Sequence, residues 1–234
     1  MTASGLVVHP RSAVVWDRAL LDCYRRVAPA TIGHFIEEGF MDPAIKPIGR
    51  RMKLVGPAVT VYQPANRSAL RDAIDVARPG DVLVVDRGGE RKRANFGEML
   101  ALWSLRVGLA GIVIDGPATD ILELQSLGFP VYCRGVSALL GPYLATEGTI
   151  NAPVTCGGVV VHPGDLVLGD DNGVVVIPPL QAEAFLAQAE AREHAEAQQR
   201  AAAASWVRSR WSLLRALDLV RRRARGVSRG DHVS

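Results

Sequence analysis

The sequence predicts a mixed α/β fold, with parallel strands joined to a β meander and closed by a long C-terminal helix. Short apolar runs such as "DVLVVD" and "AGIVIDG" alternate with helical patterns of about ten residues, which is typical of parallel strands buried on both faces. After Asn151 come short β-rich runs separated by Pro-Gly and Asn-Gly turns, which indicates antiparallel pairing. The Ala-, Glu- and Gln-rich stretch from Gln181 onward predicts the long helix.

The elements follow from hydrophobic period and from Gly and Pro punctuation. A helix is expected in "SAVVWDRALLDCYRRVA", and a second, short one over 31–38, beyond Pro29. A loop, "GFMDPAIKPIGRRMKLVG", leads into the strand "PAVTVYQ". The alternating part is then, in order, the helix "NRSALRDAIDVARPG", the strand "DVLVVD", the helix "GEMLALWSLRVG", the strand "AGIVIDG", a turn through Gly116 and Pro117, the helix "TDILELQSLG" and the strand "PVYCRG".

Length and charge divide the chain into a body and a tail. With 234 residues, 48% of them hydrophobic, the chain can bury one full core, so a single domain is expected over 1–205. Residues 206–234 form a basic helical extension with eight arginines against two aspartates, and its last residues are expected to be disordered. The whole chain carries +3 and this extension +6, so the body carries −3. We therefore expect a solvated helix face and no nucleic-acid partner.

The sequence also indicates the compartment of the protein and the state of its cysteines. The sequence has no apolar run of 18 residues and its first residues resemble no signal peptide, so we expect a cytoplasmic protein that does not enter a membrane. Cys23, Cys133 and Cys156 form no Cys-x-x-Cys pair and are expected to be small buried side chains.

Candidate ligand-binding groups lie where strands lead into helices. Asp86 and Asp115 end two predicted parallel strands, an edge where ligands collect in α/β sheets. The helix that begins near Gly97 offers free amides at Glu98, Met99 and Leu100, which suit a carboxylate or phosphate. An ordinary helix start with a favourable acidic residue explains the same pattern.

Carboxylates near these helix starts could hold a metal ion. Glu98, Asp115 and Asp120 are hard oxygen ligands of the kind that suits Mg²⁺ held partly through water. The alternative is that Thr119 or Asp120 simply caps the following helix.

Other polar residues have simpler explanations. The "DDNG" run at 170–173 predicts a type I′ hairpin turn rather than a cation loop. His162, beside a Pro-Gly turn, is expected to be structural, whereas His34 could line the site. The motifs of serine hydrolases, nucleotide-binding loops, dinucleotide folds and zinc peptidases are all absent from the sequence.

Several ordered motifs, "PGDVLVVDRGGERKRANFGEMLALWSLRVGLAGIVIDGPATD", "LGFPVYCRG" and "INAPVTCGGVVVHPGDLVLGDDNGVVVIP", resemble the class II pyruvate aldolase family. That family includes 4-hydroxy-4-methyl-2-oxoglutarate and 4-carboxy-4-hydroxy-2-oxoadipate aldolases, and its superfamily includes the regulator of ribonuclease activity A. The resemblance covers roughly residues 27–200, and "GFMDPAIKPIG" is similar to the aldolase branch in particular.

The resemblance implies a swivelling β/β/α fold, homotrimers or homohexamers, and active sites between subunits. It implies that Asp120 ligates Mg²⁺ or Mn²⁺ directly and that Glu98 reaches the metal through water. A glutamate of a neighbouring subunit's C-terminal helix approaches the same metal, and Glu196 aligns best there, with Glu193 as the alternative. The implied reaction is retro-aldol cleavage or decarboxylation of a 2-oxo acid through a pyruvate-type enolate.

One departure from the family pattern stands in the centre of the motif. Thr119 occupies the place of an arginine that holds the pyruvyl oxygens, and threonine cannot supply that charge. Cations that could substitute are Arg87, Arg91, Lys92, Arg93 and Arg134. Three hypotheses follow: a metal-dependent lyase on 2-oxo acids, a relative repurposed for a tautomerisation, dehydration or specialised biosynthetic step, and a non-catalytic regulatory binding protein.

Overall fold

The structure, a computed structural model, describes residues 5–64, 69–141 and 147–227, with the backbone alone at Glu147 and over 207–227. Its strands are β1 (Gly5–Val8), β2 (Lys46–Pro47), β3 (Leu54–Tyr62), β4 (Val82–Asp86), β5 (Gly111–Ala118), β6 (Val131–Val136), β7 (Glu147–Ile150), β8 (Val154–Cys156), β9 (Val159–Val161), β10 (Leu166–Asp170) and β11 (Gly173–Ile177). Its helices are α1 (Arg18–Tyr24), α2 (Pro29–Ile32), α3 (Ala69–Val76), α4 (Glu98–Val107), α5 (Ile121–Leu127) and α6 (Ala182–Val227), with a 3₁₀ turn at Pro179–Gln181.

The centre of the sheet is parallel, as predicted. Strands β3, β4, β5 and β6 lie side by side in that order, each parallel to the next, and α3, α4 and α5 connect them. Antiparallel strands extend this centre, since β7 and β10 pair with β3, and β2 pairs with β6. The meander after Asn151 consists of the hairpins β8–β9 and β10–β11. The mixed α/β fold is confirmed.

Burial explains why the central strands have no polar face. All eight residues of β5 are buried, because helices cover one side of the sheet and the meander covers the other. On the helical side, Phe96 packs on Phe129 with ring centroids 6.1 Å apart. On the other side, Tyr132 packs among the valines of β10 and β11, and its hydroxyl donates to the Met52 carbonyl at 3.0 Å.

Three local predictions are wrong. The short helix expected over 31–38 ends at Ile32, and turns follow it from Gly33. The 170–173 hairpin forms, but Asp171 and Asn172 have negative φ, so its turn is not type I′; only Gly173 has positive φ there. Strand β5 continues through Gly116 and Pro117, where a turn was expected.

The long helix is present, and it runs without a break through the predicted boundary at 205–206. The compact units of the chain are Met1–Ala189 and Glu190–Ser234, so the division falls within α6. Of the predicted disordered end, 227–234, all but Val227 lies outside the described residues, as does the start of the predicted third helix at 66–68. Among the helices of the described ranges, none is long and apolar enough to cross a membrane.

Candidate active site

Helix α4 begins and ends as its sequence predicts. Gly97 precedes it in an extended conformation, with φ −152°, and Glu98 places a carboxylate in its first turn. Gly108 ends the helix in the left-handed region, at φ 84°, which glycine adopts without the steric cost of a Cβ. The amides of Met99 and Leu100 lie in the first turn, where no acceptor within the helix reaches them. The N-terminus of α4 therefore presents donors to whatever faces it.

The end of β5 faces this N-terminus. Pairing between β5 and β6 shifts register between Ile114 and Pro117, and the chain turns only at Thr119 and Asp120. The Thr119 amide donates to the Phe96 carbonyl at 2.9 Å, which ties this turn to the residue just before Gly97. Asp120 takes a left-handed conformation, φ 54° and ψ 47°, which is uncommon for a residue other than glycine.

The carboxylate of Asp120 is directed at α4 rather than at its own helix. Its Oδ2 accepts a hydrogen bond from the Glu98 amide at 3.0 Å, and its Oδ1 accepts one from the Thr119 hydroxyl at 3.2 Å. Asp120 stands at the N-cap position of α5, yet its side chain makes no capping bond to that helix. The simple capping interpretation is therefore wrong for α5, and the strained backbone serves to aim the carboxylate across the loop.

Gly97 is required by this arrangement. A Cβ at residue 97 would lie 2.8 Å from Thr119 Cγ2 and closer still to Asp120 Oδ2, nearer than real Cβ atoms approach other atoms. The sequence suggested that Gly97 admits a ligand to the backbone. In the structure, the missing side chain of Gly97 makes room for the carboxylate of Asp120.

A cavity of about 160 Å³ opens at this point. It is lined by Asn95, Phe96, Gly97, Met99, Leu100, Thr119, Asp120 and Leu140. Five residues predicted for the site, Gly97, Met99, Leu100, Thr119 and Asp120, are thus brought together. Glu98 contributes its amide to Asp120, but it is not one of the residues that line the cavity.

Asp115 does not join these carboxylates. It lies within β5 rather than at its end, and it accepts hydrogen bonds from Arg91, from Arg134 and, at 2.8 Å, from the Gly157 amide. Arg134 in turn pairs with Asp42 at 2.6 Å. The predicted ligand set of Glu98, Asp115 and Asp120 is therefore wrong at Asp115, because β5 continues past this residue to Ala118 and two arginines hold its carboxylate.

None of the five suggested cations lines the cavity among the described residues. Arg91 and Arg134 are paired with Asp115, and Arg93 lies 3.6 Å from Glu90. Lys92 is exposed on the same loop.

The most buried of these cations serves the loop itself. Arg87 is fully buried and donates to the carbonyls of Gln63 and Arg93 at 3.0 and 3.3 Å. Burial lowers the pKa of Arg87 to about 10, so it stays charged at neutral pH. The suggestion that a cation of this loop replaces the arginine finds no support in the geometry.

Sequence reasoning missed Asn95. Its side chain is 1% exposed, it lines the cavity, and neither its amide nitrogen nor its amide oxygen has a hydrogen-bond partner. No sequence signal distinguishes this asparagine, because a loop position before Phe-Gly favours polar residues in general.

The available oxygen atoms fit a hard cation only in part. Asp120 and Glu98 are suitable ligands, and Mg²⁺ is commonly held by one or two carboxylates with water completing its shell. In the described part of the chain no group of three or more His, Cys, Asp or Glu residues could hold a metal ion. Glu196 lies in α6, where it pairs with Arg192 and Arg200 at 3.1 and 3.2 Å.

The remaining polar candidates do not line the cavity. Asp86 accepts from the amides of Gly88 and Thr155 at 2.7 and 3.2 Å. His162 stands beside Asp165, whose carboxylate accepts from the His162 amide at 2.8 Å, as expected for a turn residue. His34 is exposed and does not line the cavity.

The cysteines are nearly as predicted. Cys133 and Cys156 are buried, and burial raises the pKa of both thiols. Cys23 is only partly buried.

Comparison with known proteins identifies the family of this chain. The family model described as "RraA-like: Aldolase/RraA" matches residues 20–176, which is more than half of the chain and includes every residue of the cavity. The chain belongs to the Aldolase/RraA family.

Two named relatives and one solved structure illustrate the similarity. A protein of Halalkalibacterium halodurans named "Putative 4-hydroxy-4-methyl-2-oxoglutarate aldolase" is 40% identical over 150 residues, covering 64% of this chain and 71% of its own. One of Ectopseudomonas mendocina with the same name is 34% identical over 142 residues, covering 59% of this chain and 85% of its own. The crystal structure of Streptomyces coelicolor RraAS2, described as an unusual member of the RNase ES inhibitor RraA family, superposes with a TM-score of 0.73 at 31% identity, covering 81% of this chain and 99% of that one.

Proposed function

We propose that this protein is a divalent-metal-dependent lyase that breaks a carbon–carbon bond in a 2-oxo acid, by retro-aldol cleavage or by decarboxylation. The names of its aldolase relatives support a lyase of this kind. The observation that carries the proposal is the position of Asp120, whose carboxylate is held at the N-terminus of α4, within a cavity, by the Glu98 amide. A structural cap would not need a strained backbone and an adjoining cavity.

The chain's own residues have separate tasks in this site. Asp120 and Glu98 would hold Mg²⁺ or Mn²⁺, and the Glu98 carboxylate would move a proton. When bound, the metal supplies Lewis-acid stabilisation of the charge that develops on the 2-oxo group. The first-turn amides of Met99 and Leu100 bind the substrate carboxylate, since a helix N-terminus favours an anion.

The steps in the substrate follow from this placement. In retro-aldol cleavage the C4 hydroxyl gives up its proton, the C3–C4 bond breaks, and its electron pair passes to the C2 carbonyl, which becomes an enolate. The enolate then takes a proton at C3, so the products are pyruvate and a carbonyl compound. Oxaloacetate reaches the same enolate by losing CO₂ instead.

Threonine in place of arginine at residue 119 weakens the proposed catalytic site. A charged donor that stabilises an enolate is worth on the order of 10²–10³ in rate, and the described walls of the cavity contain no cationic side chain. We therefore expect slower turnover than an arginine at residue 119 would allow. A cation from a second copy of the chain could restore part of the loss.

A homotrimer or homohexamer fits the surroundings of the cavity. Large apolar side chains stand exposed around its rim and on neighbouring elements: Met99, Leu122, Val136, Leu139 and Leu140. Apolar side chains clustered near a polar site mark a protein interface more often than free surface. In such an assembly Glu196 of a neighbouring subunit would complete the metal site. The cytoplasmic location stays a prediction from the sequence.

The second candidate is a regulatory binding protein without catalysis. Thr119 favours it, because the site lacks the charge that an enolate needs, and the relative from Streptomyces coelicolor is described as a member of an RNase ES inhibitor family. A third possibility, a repurposed reaction such as a tautomerisation, dehydration or biosynthetic step, rests on the same residue.

The test uses the purified full chain with Mg²⁺ or Mn²⁺ and measures release of pyruvate from 4-hydroxy-2-oxo diacids and from oxaloacetate. We expect turnover that chelation removes, that Asp120→Ala abolishes and that Asp75→Asn leaves unchanged, since Asp75 is an exposed residue of α3. Absence of turnover with every such substrate would contradict the proposed lyase activity. Binding of a ribonuclease that survives Asp120→Ala would establish the regulatory function instead.

A further inference from the structure

We infer that the side-chain amide of Asn95 recognises the C4 hydroxyl of a 4-hydroxy-2-oxo acid, and so selects hydroxylated substrates over simple 2-oxo acids. This inference rests on the function proposed above. It assigns Asn95 as a specificity-determining residue that binds substrate and takes no proton itself.

The amide of Asn95 is buried and unpaired. Its side chain is 1% exposed, and both Nδ2 and Oδ1 lack a hydrogen-bond partner. Nearly all buried polar side-chain atoms in proteins have a partner, so an amide with two unpaired atoms requires an explanation. A group that waits for a ligand is one such explanation, and the cavity beside it supplies the place.

This amide bonds to nothing in the described cavity wall. The side chains of Phe96, Met99, Leu100 and Leu140 are apolar, and the carboxylate of Asp120 bonds instead to the Glu98 amide and to the Thr119 hydroxyl. A ligand in the cavity can supply the missing partner.

The backbone on either side holds Asn95 in place. The Ala94 amide donates to the Leu139 carbonyl at 2.8 Å, and the Ala94 carbonyl accepts from the Gly141 amide at 3.0 Å. The side chain keeps its own freedom, because the torsion about the Cβ–Cγ bond of asparagine has a broad range. Both amide atoms are closed to solvent as they stand, so the amide meets a ligand in the cavity only after the side chain rotates about Cα–Cβ as well.

A carboxamide identifies the ligand chemistry that completes it. It carries one acceptor and one donor side by side, so its complement is a hydroxyl next to a carboxylate or carbonyl oxygen. In a 4-hydroxy-2-oxo diacid, the C4 hydroxyl donates to Oδ1 and a neighbouring carboxylate oxygen accepts from Nδ2. This contact orients the hydroxyl that must lose its proton when the C3–C4 bond breaks.

A ligand without the hydroxyl leaves Oδ1 unpaired, and discrimination follows from that loss. Sites built to pair with a substrate hydroxyl reject the analogue that lacks it more strongly than an apolar pocket could. Oxaloacetate and 2-oxoglutarate are such analogues. The amide therefore favours retro-aldol substrates over substrates that only lose CO₂.

The test compares 4-hydroxy-2-oxoglutarate with 2-oxoglutarate, which differ only by the hydroxyl, on the full chain with Mg²⁺. In Asn95→Leu, which keeps the size but removes both amide atoms, we expect kcat/KM for the hydroxylated acid to fall about tenfold to hundredfold. The inhibition constant of 2-oxoglutarate should stay within about twofold. Asn95→Asp, which keeps acceptors and loses the donor, should fall between the wild type and Asn95→Leu. Gln188→Leu removes an exposed amide of α6 and is the matched control.

Two readouts separate recognition from a structural role. The melting temperature of Asn95→Leu should equal or exceed that of the wild type, because replacing an unpaired buried amide by an apolar side chain costs little. A large fall in melting temperature, or an equal loss for both acids, would overturn the inference. If the wild type cleaves no substrate, the proposed lyase activity is wrong. The inference about Asn95 is then tested by calorimetric titration with the two acids alone. Weaker binding of only the hydroxylated acid to Asn95→Leu would then support it, and unchanged binding of both acids would overturn it.

Discussion

Asp120 accepts a hydrogen bond from the backbone amide of Glu98 across 3.0 Å, although the two residues begin different helices. The contact joins the end of β5 to the start of α4 and gives the site its one fixed carboxylate. The contact also depends on Gly97, because a residue without a side chain leaves room there for the carboxylate. The position of Asp120 therefore depends on a residue that has no functional group.

Gly97→Ala should damage the site without touching its chemistry. The new Cβ would overlap Asp120 Oδ2, so the carboxylate must leave the Glu98 amide. Displacing a group that orients a metal ligand typically costs 10–100-fold in metal affinity. Titration calorimetry with Mg²⁺ measures this directly.

The matched control for that substitution is Gly33→Ala. Residue 33 has a φ of −62°, and its Cβ would meet the ring edge of Phe40 at 3.3 Å and the Ala30 carbonyl oxygen at 3.4 Å, without the overlap found at Gly97. Metal affinity within about twofold of the wild type is expected for the control. An equal loss in both variants would mean that the close approach at Gly97 is not the cause.

Asp120→Asn should separate stability from activity. The asparagine oxygen can still accept from the Glu98 amide, so the free energy of unfolding should change by less than about 1 kcal/mol. Asp120→Ala removes the acceptor and should lower that free energy by about 1 kcal/mol. Both variants should lose Mg²⁺ binding and turnover, because neither has the charge. Urea unfolding and pyruvate release measure the two effects, and turnover retained in Asp120→Asn would contradict a metal-ligand role.

Thr119→Arg tests what the departure from the family pattern costs. If the site already cleaves 2-oxo acids, the added guanidinium should raise kcat/KM on the order of 10²–10³-fold. Thr119→Lys should recover less, because an ammonium cannot bond two oxygens in one plane. Steady-state pyruvate release is the measurement. An inactive wild type with an active Thr119→Arg variant would favour the repurposed reaction.

The outcome at these residues shows what the sequence could predict. Period and punctuation placed α4, from its start after Gly97 to its end at Gly108, and they placed the central strands. The sequence placed Glu98 and Asp120 at two helix starts where strands lead into helices, and the structure joins them through the Glu98 amide; their role as metal ligands stays a prediction.

The misses have physical causes of a different kind. Asp115 was misplaced because a register shift depends on pairing with β6, which local sequence does not encode. Asn95 was missed because it stands out only through its burial and through its lack of hydrogen-bond partners. Both are properties of the folded chain.

Stability in acid should report on Asp115 rather than on the site. Burial raises the pKa of this carboxyl, but hydrogen bonds from Arg134, Arg91 and the Gly157 amide outweigh burial and hold the pKa below its ordinary value. A lowered pKa means that the stabilisation is complete above the unfolded-state value of about 3.9 and is lost as pH falls through the folded value. Asp115→Asn should therefore lower the free energy of unfolding by about 2–4 kcal/mol at pH 7.

The same comparison near pH 3 should show a smaller difference, because the Asp115 carboxyl of the unfolded wild-type chain is then mostly protonated, so that folding must remove a proton from it. Urea unfolding at both pH values measures it. Asp75→Asn, which removes a surface pair with Arg71, is the control and should cost less than about 1 kcal/mol at either pH. A difference for Asp115→Asn that is independent of pH would show that the ion cluster stabilises through packing alone.

Subunit mixing should reveal whether Glu196 completes the site of a neighbour. Asp120→Asn and Glu196→Gln should each be inactive alone, because each removes one carboxylate from every site. If the two carboxylates of a site come from different subunits, equal mixing and reassembly should restore about a quarter of the wild-type activity, the fraction of sites that receives both intact residues. If both came from one chain, no mixed site would be intact. Light scattering before and after mixing verifies that the oligomer reforms, and reassembled mixtures without activity would remove Glu196 from the proposed metal site.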